Sequence, residues 1–209
     1  MTYILLLVLG IVSAYIINLA TDYEKCGDAD RLKWFFGYVC GKPQYIVVMV
    51  LTPLAFMLLY CKSRTNLEMI RYAVLYILLA SSSLKDYKER IVSNKLVAAG
   101  IVLGLVMVAL DAEPEKFIQS VILFIAIALI MSLISFATKG GVGMGDTKLI
   151  AVSGLYTGLT GIISVLFYSF ILSGITGIVL LILKKANSKS RIPFIPFLTL
   201  GFLIYLLLL

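Results

Sequence analysis

The chain has 209 residues, of which 61% are hydrophobic and 14% are charged. An ordinary soluble domain has about 45–50% apolar and about 25% charged residues, so this composition indicates a protein embedded in a lipid bilayer. The same composition excludes an intrinsically disordered chain, and three cysteines are too few for a disulfide-rich secreted scaffold. The absence of histidine from the sequence excludes Ser-His-Asp and Cys-His catalysis as well as any histidine-ligated metal.

Seven apolar runs follow one another along the chain, separated by short polar segments. They are residues 3–20, 45–61, 70–84, 96–110, 117–137, 149–183 and 192–209. A helix needs about 17–25 predominantly apolar residues to cross a membrane, so most of these runs suit one crossing each. The third and fourth runs are short, and we expect their helices to include flanking residues whose long side chains reach the membrane surface.

The run 149–183 contains 35 uncharged residues. As one helix it would be about 50 Å long, whereas the hydrocarbon core of a bilayer is about 30 Å thick. We therefore predict two helices, with a break in residues 157–161, where two glycines and two threonines weaken the helix. The resulting fold class is an all-α polytopic membrane protein with about eight transmembrane helices, and residues 1–209 form a single integral membrane domain.

The basic residues support this count. With eight spans and the N-terminus outside, fourteen Lys and Arg residues fall in inside loops and four in outside loops, as the positive-inside rule requires. A single helix over 149–183 would reduce that difference to ten against eight. The net charge of +7 thus follows from topology, and we expect the lipid bilayer rather than nucleic acid as the partner.

The longest hydrophilic segment, residues 21–44, is a short cytoplasmic loop in this topology. It contains Cys26 and Cys40, and Cys61 lies at the end of the next apolar run. A zinc site needs about four donors, usually in pairs of C-x-x-C, and the sequence lacks those pairs. We interpret the cysteines as reduced thiols and predict no metal.

The acidic residues separate into two groups. Three of them, Asp86, Glu89 and Asp146, lie at the predicted inner ends of spans, where carboxylates from different helices can converge on one side of the bilayer. The others are interpreted as solvated loop charges: Asp22, Glu24, Asp28, Asp30, Glu68, Asp111, Glu113 and Glu115.

Asp146 follows a glycine-rich stretch, residues 139–145 (KGGVGMG), and precedes an apolar helix. Glycines leave room for another extended backbone beside the carboxylate, and the N-terminus of a helix favours an ionised acid. A glycine-rich turn that Asp146 merely caps is the alternative. A nucleotide-binding loop is excluded, because no strand precedes the glycines and a Gly-Lys-Ser/Thr ending is missing.

Asp86 lies in residues 81–96 (SSSLKDYKERIVSNKL). By itself this segment suits a cytoplasmic loop in which Asp86 and Glu89 pair with the neighbouring lysines and arginine. Two acids at membrane ends on the same face, in a chain without histidine, favour a catalytic pair instead.

Three segments in this order resemble the type IV prepilin peptidase family, membrane aspartic proteases of the G-x-G-D type. Residues 143–146 (GMGD) match the family's signature, and residues 86–94 (DYKERIVSN) match its other aspartate motif, with Ser93 in place of the usual proline. Residues 193–198 (PFIPFL) resemble its Pro-Phe-x-Pro-Phe-Leu segment. Presenilin-like proteases instead have Tyr-Asp and Pro-Ala-Leu motifs, which this sequence lacks. The resemblance covers roughly residues 81–209.

The resemblance implies an aspartic endopeptidase with Asp86 and Asp146 as catalytic residues. It implies a type IV prepilin or pseudopilin as substrate, whose basic leader is cut at the cytoplasmic face of a bacterial or archaeal inner (plasma) membrane. The residues expected to contact the substrate are Gly143, Gly145, Lys148, Asn94, Pro193 and Pro196.

Many bacterial members have a larger cytoplasmic loop with two C-x-x-C pairs, associated with N-methylation of the product by S-adenosylmethionine. Residues 21–44 contain only Cys26 and Cys40. The resemblance therefore implies no cofactor for proteolysis, and S-adenosylmethionine only if a methyltransferase activity is retained.

Two other functions remain open from the residues alone. A small transporter would use Asp86 and Asp146 to relay protons or bind a cation, as intramembrane acids often do. A Ser/Lys peptidase would use one serine of residues 81–83 with Lys85.

Overall fold

A computed structural model describes residues 2–22, 43–111, 114–138, 141–184 and 192–209. These residues are mostly helical, and no β-strand occurs among them, which confirms the all-α prediction for this part of the chain. The helices are α1 (Thr2–Asp22), α2 (Pro43–Lys62), α3 (Asn66–Glu89), α4 (Asn94–Leu110), α5 (Pro114–Ala137), α6 (Met144–Ile182) and α7 (Ile195–Leu208).

The chain divides into two compact units, Met1–Ser63 and Arg64–Leu209. In the first unit α1 packs against α2. The contact is close because Gly10 of α1 faces Pro53 inside α2: a Cβ on Gly10 would lie 2.6 Å from the Pro53 Cα. Residues 23–42, which include Cys26 and Cys40, lie outside the described residues, whereas Cys61 is a free, exposed thiol.

In the second unit α6 is the central helix, because it packs against α3, α4, α5 and α7. In its first half, every residue of 149–157 is buried. Tyr156 is a principal anchor, since its hydroxyl donates a 2.8 Å hydrogen bond to the Gly100 carbonyl of α4. Gly104 of α4 leaves the space that Leu155 and Tyr156 fill.

The predicted break in the long sixth run lies at Gly158. This residue has φ 71° and ψ −177°, so it interrupts the helical geometry of α6 between residues 157 and 159. A non-glycine residue is strained in this part of φ/ψ space. The prediction of two helices in place of one is confirmed, with the break inside the expected residues 157–161.

Four helices are long and apolar enough to cross a membrane: Tyr45–Lys62, Asn66–Glu89, Pro114–Ala137 and Met144–Ile182. Three further apolar helical segments among the described residues are shorter: Leu6–Tyr15, Asn94–Leu110 and Ile195–Leu208. The chain is therefore a polytopic membrane protein by length and composition, while the count of eight spans and the outside N-terminus stay predictions. The third helix includes flanking polar residues at both ends, as expected.

Arg71 and Asp111 correct one sequence-based expectation. We interpreted Asp111 as a solvated loop charge, but its Oδ2 lies 2.8 Å from Nη1 of Arg71, and the two side chains are only 28% and 20% exposed. The ion pair joins the first turns of α3 to the end of α4. Glu68 also has a local role, because its carboxylate accepts a 2.8 Å hydrogen bond from the Arg64 N–H at the start of α3.

Gly158→Ala tests the break, with Gly174→Ala as a matched control. A Cβ at either position would meet no atom within 4 Å, so only the backbone conformation differs. We expect Gly158→Ala to lower the free energy of unfolding by about 1–3 kcal/mol. Gly174→Ala, inside the second half of α6, should raise that free energy by roughly 0.5–1 kcal/mol. Denaturant unfolding in detergent measures both, and equal stability of the two variants would contradict a required left-handed residue at 158.

Candidate active site

Asp86 lies in the last turn of α3 and is only 6% exposed. Its Oδ2 accepts a 3.2 Å hydrogen bond from the backbone N–H of Ile195. Arg90 follows the helix in the left-handed conformation, and its charge acts on Asp86. The carboxylate is therefore buried, hydrogen-bonded and close to a cation.

The Ile195 N–H is available because it belongs to the first turn of α7. The first N–H groups of a helix have no partner within the helix and carry its partial positive charge. Phe194 is the N-cap of α7, and Pro196 follows Ile195 in the first turn. Proline is well tolerated at this position, because the N–H that it lacks would have no partner within the helix. Thr199 then fixes α7 against α3, because its hydroxyl lies 3.3 Å from the Leu79 carbonyl. The PFIPFL segment thus directs a helix N-terminus at Asp86.

Asp146 occupies the third position of α6, after the N-cap Gly143. Its carboxylate accepts a hydrogen bond from the Gly143 N–H, as in a capping box, where the third residue of a helix reaches back to the N-cap. Ser135 of α5 fixes the preceding loop with a 2.7 Å hydrogen bond from its hydroxyl to the Val142 carbonyl. Thr147 adds a 3.2 Å bond from its hydroxyl to the Gly143 carbonyl.

The two aspartates lie toward the same end of the second unit. The charge of Asp86 at the end of α3 acts on Asp146 at the start of α6, so the two carboxylates are within electrostatic range of each other. Each of them accepts a hydrogen bond from a backbone N–H at a different helix N-terminus. Two adjacent carboxylates disfavour double ionisation and share a proton. Such a pair contains both an acid and a base.

Glu89 is placed differently from Asp86. It is the last residue of α3 and its side chain is exposed. The sequence indicated three acids at inner helix ends, and the structure pairs Asp86 with Asp146 while Glu89 faces outward.

Val92 and Gly145 join the first motif to the second. A Cβ on Gly145 would lie 2.6 Å from the Val92 Cγ2 and 2.8 Å from its Cβ, closer than real Cβ contacts. Gly145 is therefore required for the segment after α3 to lie against the start of α6. A contact between Gly145 and the substrate stays a prediction. Gly143 is exposed and lies directly beside the Asp146 carboxylate.

Asn94 and Lys148 form a second link between these motifs. The Lys148 ammonium donates a 2.8 Å hydrogen bond to the Asn94 Oδ1, joining the first residue of α4 to the first turns of α6. Both side chains line a cavity of about 340 Å³ between α4, α5 and α6. The other lining residues are apolar: Val97, Ala98, Ile101, Phe124, Ala128 and Ala151.

Ser93, which replaces the usual proline, immediately precedes α4 as its N-cap. Its φ of −71° is the value that proline imposes, so serine preserves the local backbone. Pro193 and Pro196 are half-buried on either side of Phe194 and Ile195. The proline positions thus belong to the support of Asp86, and their contact with substrate stays a prediction.

Comparisons with known proteins identify a family and two relatives. The model of the type IV leader peptidase family matches residues 73–178, which contain both aspartates. A protein named prepilin leader peptidase/N-methyltransferase from Xanthomonas campestris pv. campestris is 25% identical over 193 residues, covering 82% of this chain and 67% of that protein. Another of that name from Pseudomonas putida is 26% identical over 127 residues, covering 59% of this chain and 44% of that protein. No solved structure matches the chain.

The close contact of Gly145 with Val92 is testable by a double-mutant cycle. Gly145→Ala forces its new methyl group into Val92, so we expect a loss of about 1–3 kcal/mol in the free energy of unfolding. In a Val92→Gly background the clash is absent, and the same substitution should cost much less. Denaturant titration of the four proteins measures the coupling. Purely additive effects would show that the two residues do not touch.

Proposed function

Because the chain belongs to the type IV leader peptidase family, we propose that it is an aspartic endopeptidase of the membrane. The proposed substrate is a type IV prepilin or pseudopilin, whose basic leader is removed at the cytoplasmic face. The names of the two relatives, both prepilin leader peptidases, support this substrate class.

The observation that supports the proposal is the placement of Asp86 at the end of α3 and Asp146 at the start of α6, where the charge of one carboxylate acts on the other. A peptide bond is hydrolysed by such a pair when one carboxylate is ionised and the other neutral. The ionised carboxylate takes a proton from water as the water oxygen attacks the scissile carbonyl carbon. The neutral carboxyl donates a hydrogen bond to the carbonyl oxygen, and a proton then passes to the leaving nitrogen as the C–N bond breaks.

The surrounding backbone supports this division of roles. Hydrogen bonds from the Ile195 and Gly143 N–H groups favour the charged form of their carboxylates, and they fix both groups so that little reorganisation is needed. Arg90 adds positive charge beside Asp86. Backbone donors and Arg90 thus oppose the cost of placing negative charge in a partly apolar environment.

The cavity at Asn94 and Lys148 suits the substrate's hydrophobic segment. Its polar end is formed by these two side chains, and Lys148 lies two residues after Asp146. Its remaining lining is apolar, so side chains from the part of the substrate that enters the bilayer would be desolvated there. We propose that the cavity holds those side chains while the peptide bond lies against the aspartates.

Methyl transfer has no place in this proposal, although both relatives have N-methyltransferase in their names. The segment 21–44 lacks the paired C-x-x-C motifs that the resemblance associates with that activity, and residues 23–42 of it lie outside the described residues. Each step proposed here is carried out by Asp86, Asp146 and water alone.

Replacement of either aspartate tests the proposed chemistry. Asp86→Asn and Asp146→Asn should each abolish cleavage of a purified prepilin in detergent, because an amide can neither take nor hold the proton. Helicity and the unfolding midpoint should stay close to those of the parent protein. Glu89→Gln is the matched control, since it removes an exposed acid one turn away and should leave the rate unchanged.

An active Asp146→Asn protein would contradict the assignment. The transporter alternative would be favoured by two results together. The parent protein would cleave no prepilin, and it would carry a proton or cation flux in proteoliposomes that the same two variants lack.

Filling the cavity tests the proposed substrate position. Ala98→Phe places a large side chain into the cavity, whereas Ala99→Phe, the adjacent exposed residue, lies outside its lining. We expect Ala98→Phe to raise KM about tenfold or more with a smaller effect on kcat. The substitution weakens binding of the substrate and of the transition state by the same amount, which changes KM and leaves kcat nearly constant. Steady-state cleavage assays compare the two variants. Equal KM values for both would place the substrate elsewhere.

A further inference from the structure

Ser82 is a buried polar residue that the catalytic proposal does not use. It lies in α3, its side chain has 0% exposure, and its hydroxyl has no hydrogen-bond partner among the described residues. A buried hydroxyl without a partner is unfavourable, and such groups in proteins are nearly always paired with protein or with ordered water.

Other hydroxyls of this chain show that Ser82 differs in its orientation. Serine and threonine in a helix usually donate to the carbonyl four residues earlier. Ser81 does so with Ile77 at 2.7 Å, and Ser153 with Leu149 at 2.8 Å. The Ser82 hydroxyl does not form this bond, so it is directed away from its own helix backbone.

Ser82 lies about one helical turn before Asp86 in α3, farther from the end of the helix than the carboxylate. Successive residues turn by about 100°, so Ser82 lies about 40° from Asp86 on one side and about 40° from Leu78 on the other. Asp86 contacts Ile195 of α7, and Leu78 faces Gly100 of α4. The central helix α6 packs against both α4 and α7. Ser82 therefore points toward α6, on the membrane side of the carboxylates.

The spacing suits one bridging water. Residues four apart on a helix are about 6 Å apart between their Cβ atoms. Two hydrogen bonds of about 2.8 Å that meet at a water oxygen at a tetrahedral angle span about 4.6 Å, a distance that the Ser82 hydroxyl and the Asp86 carboxylate can reach when both lean toward the water. A buried water typically makes about three hydrogen bonds, and a hydroxyl with a carboxylate supplies two of them.

We propose that Ser82 is a positioning residue that binds a water in contact with Asp86 and thereby orients this carboxylate for catalysis. The groups around Asp86 are then the Phe194 and Ile195 N–H groups at the start of α7, Asp146 from α6, Arg90 at the end of α3, and this water on the membrane side. The inference rests on the proposed function for its catalytic consequence. Its water-binding part depends only on the fold.

Ser82→Ala is the test, with Ser81→Ala as the matched control and Ser82→Thr as the conservative variant. We expect Ser82→Ala to lower kcat about tenfold to a hundredfold with little change in KM, as for loss of one hydrogen bond to a charged group. It should also change the pH profile of kcat. Ser82→Thr should restore most of the rate, and Ser81→Ala should behave like the parent protein in all three measurements.

Two kinetic outcomes would overturn the proposal. A Ser82→Ala enzyme with the parent kcat and pH profile would show that the hydroxyl does not act on Asp86. Complete loss of cleavage in both Ser82→Ala and Ser82→Thr would instead indicate a nucleophile, as a Ser/Lys peptidase requires.

A stability measurement separates this inference from the proposed function. If the hydroxyl binds water, Ser82→Ala leaves that water short of a partner and lowers Tm relative to Ser81→Ala. If the hydroxyl is unpaired, its removal relieves a desolvation penalty, and Ser82→Ala melts at or above the parent Tm, which overturns the proposal. Absence of prepilin cleavage by the parent protein would count against the proposed function alone, because this thermal comparison needs no activity.

Discussion

One buried carboxylate, Asp86, and one half-buried carboxylate, Asp146, explain how the helix ends of the second unit are arranged. An unpaired buried charge is costly, and the cost is greater where water is scarce. The structure meets it with backbone N–H groups from two helix N-termini, Gly143 at the start of α6 and Ile195 at the start of α7. These dipoles stabilise negative charge without adding a mobile side chain, so both carboxylates are held in place before any substrate arrives.

The same constraint explains why three segments distant in sequence interlock. The segment after α3 lies against the start of α6 through Val92 and Gly145, and Asn94 bonds to Lys148 one turn further on. The start of α7 bonds to Asp86. The first half of α6 is buried among the other helices of its unit, which makes it a rigid base for Asp146. Gly158 ends that half and allows the remainder of the apolar run to take another direction.

Much of this was predictable from the sequence, and the remainder has identifiable physical reasons. Hydropathy located the helices, and the length of residues 149–183 together with their glycines located the break at Gly158. The pairing of Asp86 with Asp146 followed from topology and motif order. The Ile195 donor was missed because a backbone N–H leaves no residue-type signal, although two flanking prolines mark a helix start. The partner of Asp111 was missed because a turn residue looks solvated until α3 brings Arg71 beside it.

Cysteine cross-linking in membranes measures whether residues 86 and 146 lie side by side. The three native cysteines are replaced by serine, and Asp86→Cys with Asp146→Cys is compared with Glu89→Cys and Asp146→Cys. We expect copper-phenanthroline or the shortest bis-methanethiosulfonate reagent to join the first pair within one chain, and to join the second pair far more slowly. Two thiols in the first pair that each react with a maleimide yet never become linked would contradict that placement.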